Sequence, residues 1–261
     1  MMIRLLLFLG LLALPALAAP DCHAEIPCPL GDRSYHVKEP DEWDGKSPLP
    51  VLLHFHGWAR QGDLIVKHSR ISGATRRRGV LLLAPNGQNK TWNFWTQGSA
   101  DTGFAARVIE DAAKRYPIDR ARIYVSGYSF GSAMAWRYAC DNGDGVAALL
   151  AVSGTLQQSE ICATAPDEIR HVHGTRDNVM DFPFGPDGDT THPVRLWRDR
   201  LGCGAGKTDG TWQVTKYDVF DRTVWDDCAE GRVVLDVHAR GHFIPRGWIA
   251  QQLDELLGNT P

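Results

Sequence analysis

An α/β fold, with a mostly parallel central sheet and helices on both of its faces, is what this sequence predicts. Three observations predict it. Short apolar runs of strand length alternate with stretches of helical period along the chain. The strongest runs are continuously apolar, as strands covered on both faces are. One of them leads directly into a glycine-flanked serine and then a helix-prone stretch, the strand–turn–helix layout of a nucleophile elbow.

The chain has 261 residues, 43% hydrophobic and 23% charged, enough to bury one large core. No internal repeat, low-complexity stretch or Pro/Ser/Thr linker divides it, so a single domain is expected. The net charge of −3 gives no reason to expect nucleic acid or an anionic membrane as partner. The one basic run, Arg76-Arg77-Arg78, reads as a solvated helix end.

In chain order, residues 1–18 read first as a secretory signal. Arg4 supplies a positive start, Leu5 to Leu14 an apolar core too short to span a bilayer, and Ala16-Leu17-Ala18 a small-residue cleavage site. The expected mature domain is 19–261, secreted to the periplasm or the medium, with no membrane association after cleavage. Pro20-Asp21 before Cys22 argues against lipid attachment there. Six cysteines in an exported chain read as disulfides. Loop length favours nearest neighbours: Cys22 with Cys28, Cys140 with Cys162, Cys203 with Cys228.

Val51–Phe55 reads as a buried strand, followed by a helical stretch from Leu64 to Arg78. Val80–Leu83 is the next strand, ending at Pro85-Asn86-Gly87. Gly103 to Tyr116 has helical period (Phe104, Val108, Ile109, Ala112), and Pro117 stops it. Then come the Ile123–Val125 strand, the elbow helix to about Tyr138, and strands at Val146–Val152 and Ile169–Val172. A Gly/Asp/Pro-rich loop, 181–193, precedes a helix over Val194–Leu201. Arg232–Val237 reads as the last strand and Gly247–Leu257 as a closing amphipathic helix.

The elbow is Gly127-Tyr128-Ser129-Phe130-Gly131. Its turn is so sharp that side chains flanking the serine are excluded, hence glycine on both sides. The following helix aims N–H groups at the place where negative charge would develop. A serine nucleophile also needs a base, an acid that orients the base, and an oxyanion hole. In a fold with this elbow the acid and then the histidine follow the serine, in loops at the C-terminal edge of the sheet. His242, in a Gly-His-Phe turn just past the last strand, is the favoured base; His238, at the end of the strand pattern, is the rival and reads as structural. Asp177, in the loop after Ile169–Val172, is the favoured acid. Asp181 is an alternative, Asp167 sits at the wrong edge, and a loop-capping carboxylate is the bland account of Asp177. The oxyanion donors expected are the backbone N–H groups of Phe130 and, in His56-Gly57-Trp58, of Trp58.

Aromatic residues near these loops are candidates for substrate binding: Trp58, Trp92 and Trp95, with Phe94 beside them, then Phe182 and Phe184. Core packing is the competing account of most of them. The pairs His54/His56 and His171/His173 place two rings on one strand face, yet no third ligand has fitting spacing, so neither metal nor cofactor is expected. The G-K-T of residues 206–208 fails the phosphate-loop pattern, because its first glycine would fall on Leu201.

These residues resemble a family: secreted α/β-hydrolase esterases of the polyhydroxybutyrate depolymerase and feruloyl esterase group. The resemblance runs from about Pro50 to Pro245. It rests on H-G-W at 56–58, A-P-N-G at 84–87, D-T-G-F at 101–104, R-Y-P-I-D-x-x-R-I-Y-V-S-G-Y-S-F-G at 115–131, H-G-T-x-D at 173–177 and G-H-F at 241–243. It implies the α/β-hydrolase fold, a triad of Ser129, Asp177 and His242, and a small or oligomeric ester as substrate. Three positions depart from the family pattern: Phe130 replaces asparagine or serine, Trp58 replaces cysteine, and Phe243-Ile244-Pro245 replaces x-W-P. All three bear on the acyl pocket and none on the triad. The expected substrates are hydroxyalkanoate oligomers or related small esters, with feruloyl or acetyl-xylan esters as the alternative. With no appended binding module after the histidine, soluble esters are expected ahead of solid polymer. A serine peptidase, an acyltransferase or a non-catalytic binding protein of the same fold are the rival functions.

Overall fold

The structure is a computed structural model and describes residues 22–259. The signal segment and its cleavage site therefore lie outside the described residues. Among the described residues ten strands form one sheet: β1 Cys28–Leu30, β2 Arg33–Lys38, β3 Leu49–Phe55, β4 Leu81–Pro85, β5 Ile118–Tyr128, β6 Ala148–Val152, β7 Glu168–Gly174, β8 Lys207–Thr215, β9 Asp218–Trp225 and β10 Arg232–His238. Their order across the sheet is β1-β2-β4-β3-β5-β6-β7-β10-β9-β8. The central six, β4 to β10 in that order, are mutually parallel. An antiparallel pair closes each edge.

The helices are α1 Gly62–Ile65, α2 Ser72–Arg76, α3 Ala100–Ala112, α4 Phe130–Asn142, α5 Arg195–Leu201 and α6 Trp248–Leu257. Alternate residues of each central strand feed two cores, as the pleat demands. Leu53, Phe55, Val125 and Ala151 face α3, α4 and α5, whose Phe104, Met134 and Trp197 are fully buried. Leu52, Tyr124, Leu150 and Val152 face the other layer, where Ala74 of α2 and Trp248 and Leu253 of α6 are buried. Both faces are covered, which is why the central strands read as unbroken apolar runs.

The structure departs from the sequence expectation in three places. The stretch Leu64–Arg78 is two short helices, α1 and α2, because at 66–71 the chain tightens. The His68 N–H bonds to the Ile65 carbonyl and the Ile71 N–H to the His68 carbonyl, three residues back in each case. The edge strands β1 and β2 were not expected, nor was the β8–β9 hairpin. In β8 nearly every residue is exposed, and in β9 the buried positions include the charged Arg222, so neither shows an apolar period. Arg222 is held from both sides: it donates twice to Asp236 (2.8 and 2.9 Å) and once to Glu255 of α6 (2.8 Å). Burial lowers its affinity for a proton, and these carboxylates more than reverse that.

All three disulfides join nearest neighbours: Cys22–Cys28, Cys140–Cys162 and Cys203–Cys228. The last closes the base of the β8–β9 hairpin. Among the described residues no helix is long and apolar enough to cross a membrane.

Candidate active site

Ser129 stands between the end of β5 and the start of α4, at φ 59° and ψ −126°. A non-glycine residue held there costs on the order of 1–3 kcal/mol. The close backbone on either side of the serine leaves room only for glycine. A Cβ on Gly127 would fall 1.9 Å from the Gly131 carbonyl oxygen, and one on Gly131 would fall 2.1 Å from that of Phe55. The Ser129 N–H donates to the Val152 carbonyl of β6 (3.0 Å), which fixes the turn against the sheet.

His242 follows β10 and Asp177 follows β7, the adjacent parallel strand. Two backbone bonds lace these loops together: Thr175 N–H to the His238 carbonyl (2.9 Å) and Arg176 N–H to the Arg240 carbonyl (3.1 Å). Asp177 Oδ2 lies 2.7 Å from His242 Nδ1. Its Oδ1 accepts the N–H groups of Val179 and Met180, both at 3.0 Å. Burial alone would raise the Asp177 pKa. Hydrogen bonds from His173, His242 and the two amides outweigh it and hold the carboxyl well below the usual range. An ionised carboxylate only accepts, so His242 Nδ1 carries the proton and Nε2 is left as the acceptor. The imidazole also stacks on Tyr128, with centroids 4.7 Å apart. Ser129 and His242 line one cavity of about 790 Å³, together with Trp58, Tyr128 and Phe130.

Asp177 has a second histidine neighbour. His173 Nε2 lies 2.8 Å from the Met180 carbonyl and 3.3 Å from Asp177 Oδ2. A carbonyl only accepts, so His173 Nε2 carries hydrogen and its Nδ1 receives the Nε2 hydrogen of His171 (3.3 Å). Full burial, then the charge His173 would carry, push the His171 pKa well down. On the other H-x-H pair, His54 Nδ1 sits 3.0 Å from Ser126 Oγ. His56 Nε2 receives the Gly87 N–H (3.0 Å), while its Nδ1 donates to the Gly57 carbonyl (2.8 Å). Burial pushes His54 down to about 3 and His56 to about 4. Both pairs thus hold backbone and side chains in place, and no cluster able to hold a metal ion occurs among the described residues.

The backbone of Gly57 passes close to the serine: a Cβ there would be 3.6 Å from Ser129 Cβ. This brings the following residue, Trp58, to the cavity wall with its side chain 67% exposed. Phe130 is the first residue of α4, so its N–H has no partner within the helix.

The other predicted site residues are placed differently. Trp92 is buried, donating its indole N–H to the His56 carbonyl (2.8 Å) and packing edge-on against Phe55. Phe182 is buried behind the acid loop against His173. Trp95 is exposed and stacked on Phe94, reaching the site only through an edge-on approach to Phe130. Of the six aromatic candidates, Trp58 alone lines the cavity. Its apolar walls are instead Leu64, Ile65, Val179 and Ile244. These were not anticipated, although Val179 stands two residues after Asp177 and Ile244 two after His242. His238 is buried, and burial pushes it down to about 4. Asp181 is exposed, and Asp167 lies before β7 at the opposite edge of the sheet.

No family model matches the chain. Curated relatives do. Over 216 residues it is 26% identical to a bifunctional acetylxylan esterase/xylanase of Neocallimastix patriciarum, an alignment covering 80% of this chain and 31% of that protein. It is 26% identical over 163 residues to a probable feruloyl esterase C of Aspergillus niger, covering 60% and 59%. With feruloyl esterase D of Neurospora crassa it shares 24% over 226 residues, covering 80% and 73%. The chain thus spans under two thirds of the first two relatives. Among solved structures, the acetyl xylan esterase of Aspergillus awamori superposes with a TM-score of 0.66 at 14% identity, covering 88% of this chain and 95% of that one. A Bacillus cereus carboxylesterase gives 0.56 at 15% identity, covering 88% and 96%. The chain therefore has the α/β-hydrolase fold in a single domain, and the curated proteins it resembles are carboxylic ester hydrolases.

Proposed function

We propose that this protein is an exported serine esterase acting through Ser129, His242 and Asp177. The observation that carries the proposal is the 2.7 Å approach of Asp177 Oδ2 to His242 Nδ1, with His242 lining the same cavity as the strained Ser129. In the proposed cycle His242 Nε2 takes the hydroxyl proton as Ser129 Oγ bonds to the ester carbonyl carbon. The N–H groups of Phe130 and Trp58 hold the resulting oxyanion. His242 then gives the proton to the departing alcohol oxygen as the C–O bond breaks, leaving an acyl-serine. A water, deprotonated by the same nitrogen, releases the acid and restores the serine. Asp177 stays ionised throughout and stabilises the imidazolium.

The substrates proposed are acetyl or feruloyl esters on plant polysaccharide. The relatives' activities support this class. Hydroxyalkanoate oligomers are the second class, supported by the aliphatic walls Leu64, Ile65, Val179 and Ile244. Export, with removal of residues 1–18, is supported by three disulfides in the chain. The experiment is a panel of acetylated xylan, methyl ferulate, hydroxybutyrate oligomers, p-nitrophenyl acetate and a peptide p-nitroanilide, run with wild type and Ser129→Ala. Ester turnover that disappears in the variant supports the proposal. Faster cleavage of the anilide than of every ester would make the protein a peptidase.

A further inference from the structure

Beside the Ser129 cavity lies a second one, of about 920 Å³, with a different character. Four cationic side chains line it: Arg70, Lys216, Arg240 and Arg246, against one carboxylate, Asp218. The two cavities share a wall. His242 and Ile244 line the first, whereas Phe243 between them lines the second. Arg70 braces that wall by donating to the Ile244 carbonyl. The Ser129 cavity adds Arg60 and Lys67 at its own margin and has no Asp or Glu in its lining. Across both cavities six cations face a single carboxylate, in a chain whose net charge is −3.

That carboxylate is largely occupied. Asp218 Oδ2 accepts the Thr215 hydroxyl (2.8 Å), and its Oδ1 meets Arg240 only at 3.5 Å. Arg240 lies over the Phe243 ring, 4.3 Å from its centroid, and Lys216 over the Tyr217 ring at 4.9 Å. Tyr217 is 66% exposed at the tip of the β8–β9 hairpin. Exposed aromatic surface beside cations suits sugar rings bearing negative charge, whose apolar C–H faces pack on the ring while their carboxylates meet the cations. A cleft in which one sign of charge predominates also concentrates the oppositely charged ligand.

We infer that the second cavity binds the carboxylates of an acidic sugar chain whose ester group enters the Ser129 cavity. The inference rests on the esterase reading for the ester's destination, but its binding half stands alone. A sugar chain is favoured over a free anion because the two cavities are contiguous and the cations are spread across both. It is favoured over an acidic peptide because the cations alternate with ring faces.

The test uses the Ser129→Ala protein, so that nothing is hydrolysed, and titrates it calorimetrically with an oligogalacturonide and with a neutral xylo-oligosaccharide of equal length. The acidic oligomer is expected to bind and the neutral one to bind at least about tenfold more weakly, since one charge-assisted hydrogen bond is worth about that factor. Adding Lys216→Glu and Arg246→Glu, both exposed positions, is expected to weaken the acidic oligomer at least about tenfold. Raising salt from about 0.05 to about 0.5 M should weaken it in the same direction. In the catalytically intact background, the same pair of substitutions is expected to lower the ratio of kcat/KM for an acetylated uronic-acid oligosaccharide over an acetylated neutral one. Equal binding of the two oligomers, or acidic binding indifferent to the double substitution, overturns the inference. No ester turnover by the wild type, alongside charge-dependent binding, would refute the esterase reading and leave the binding half of this inference standing.

Discussion

Asp177 Oδ2 receives two histidines at once, His242 Nδ1 at 2.7 Å and His173 Nε2 at 3.3 Å, while Oδ1 takes two backbone amides. The carboxylate is thereby fixed in place and kept ionised, and so selects the His242 tautomer whose Nε2 can accept a proton. Replacing Asp177 by Asn keeps the shape but supplies a neutral amide, which no longer selects that tautomer. The kcat for p-nitrophenyl acetate is expected to fall on the order of 10⁴-fold. A fall under about tenfold would remove Asp177 from the mechanism.

The same hydrogen bonds link stability to pH. The folded Asp177 pKa lies below its unfolded value, so the stability it contributes is present above the unfolded carboxylate pKa, about 3.9. It is lost as pH falls from there through the folded value. The difference in Tm between wild type and Asp177→Asn should therefore be largest near neutrality and shrink as pH drops below about 4. A difference that stays constant from pH 7 to 3 would contradict this linkage.

At the elbow the expectation is steric. Gly127→Ala places a methyl group 1.9 Å from the Gly131 carbonyl oxygen and 2.7 Å from the Ser132 nitrogen, backbone atoms with no flexible side chain to yield. The loss of stability is expected to reach about 3 kcal/mol or more, visible as a large fall in Tm or as insoluble protein. Gly103→Ala in α3 serves as control, since its nearest outside neighbour is the end of the Arg107 side chain at 3.7 Å.

Trp58 separates backbone chemistry from side-chain packing. Its ring is exposed at the cavity wall, whereas its N–H is the proposed oxyanion donor. Trp58→Ala should raise KM and leave kcat within a few-fold of wild type. Trp58→Pro removes the N–H and should lower kcat by about 10²–10³-fold. Equal kcat values in the two variants would reassign the donor.

Much of the molecule is legible from residue order because its signals are local. The elbow needs two glycines at fixed spacing, and the backbone packed against Gly127 and Gly131 explains why. Asp177 and His242 each follow a strand of the parallel sheet, so topology alone brings their loops to one edge. What escapes the sequence depends on distant packing. β8 is too exposed to show an apolar period, and Arg222 breaks the period of β9 because its charge is neutralised by Asp236 and Glu255. Trp92 stands in sequence where a substrate aromatic would, yet its indole N–H turns inward to the His56 carbonyl. The basic cavity draws together residues as far apart as Arg70 and Arg246, with no motif to announce it.

Covalent trapping tests the central claim most directly. Incubation with a fluorophosphonate probe, followed by peptide mass spectrometry, is expected to give one adduct, on the peptide containing Ser129. No labelling is expected in Ser129→Ala, and much slower labelling in His242→Ala. An adduct on any other residue, or undiminished ester turnover by Ser129→Ala, would contradict the account.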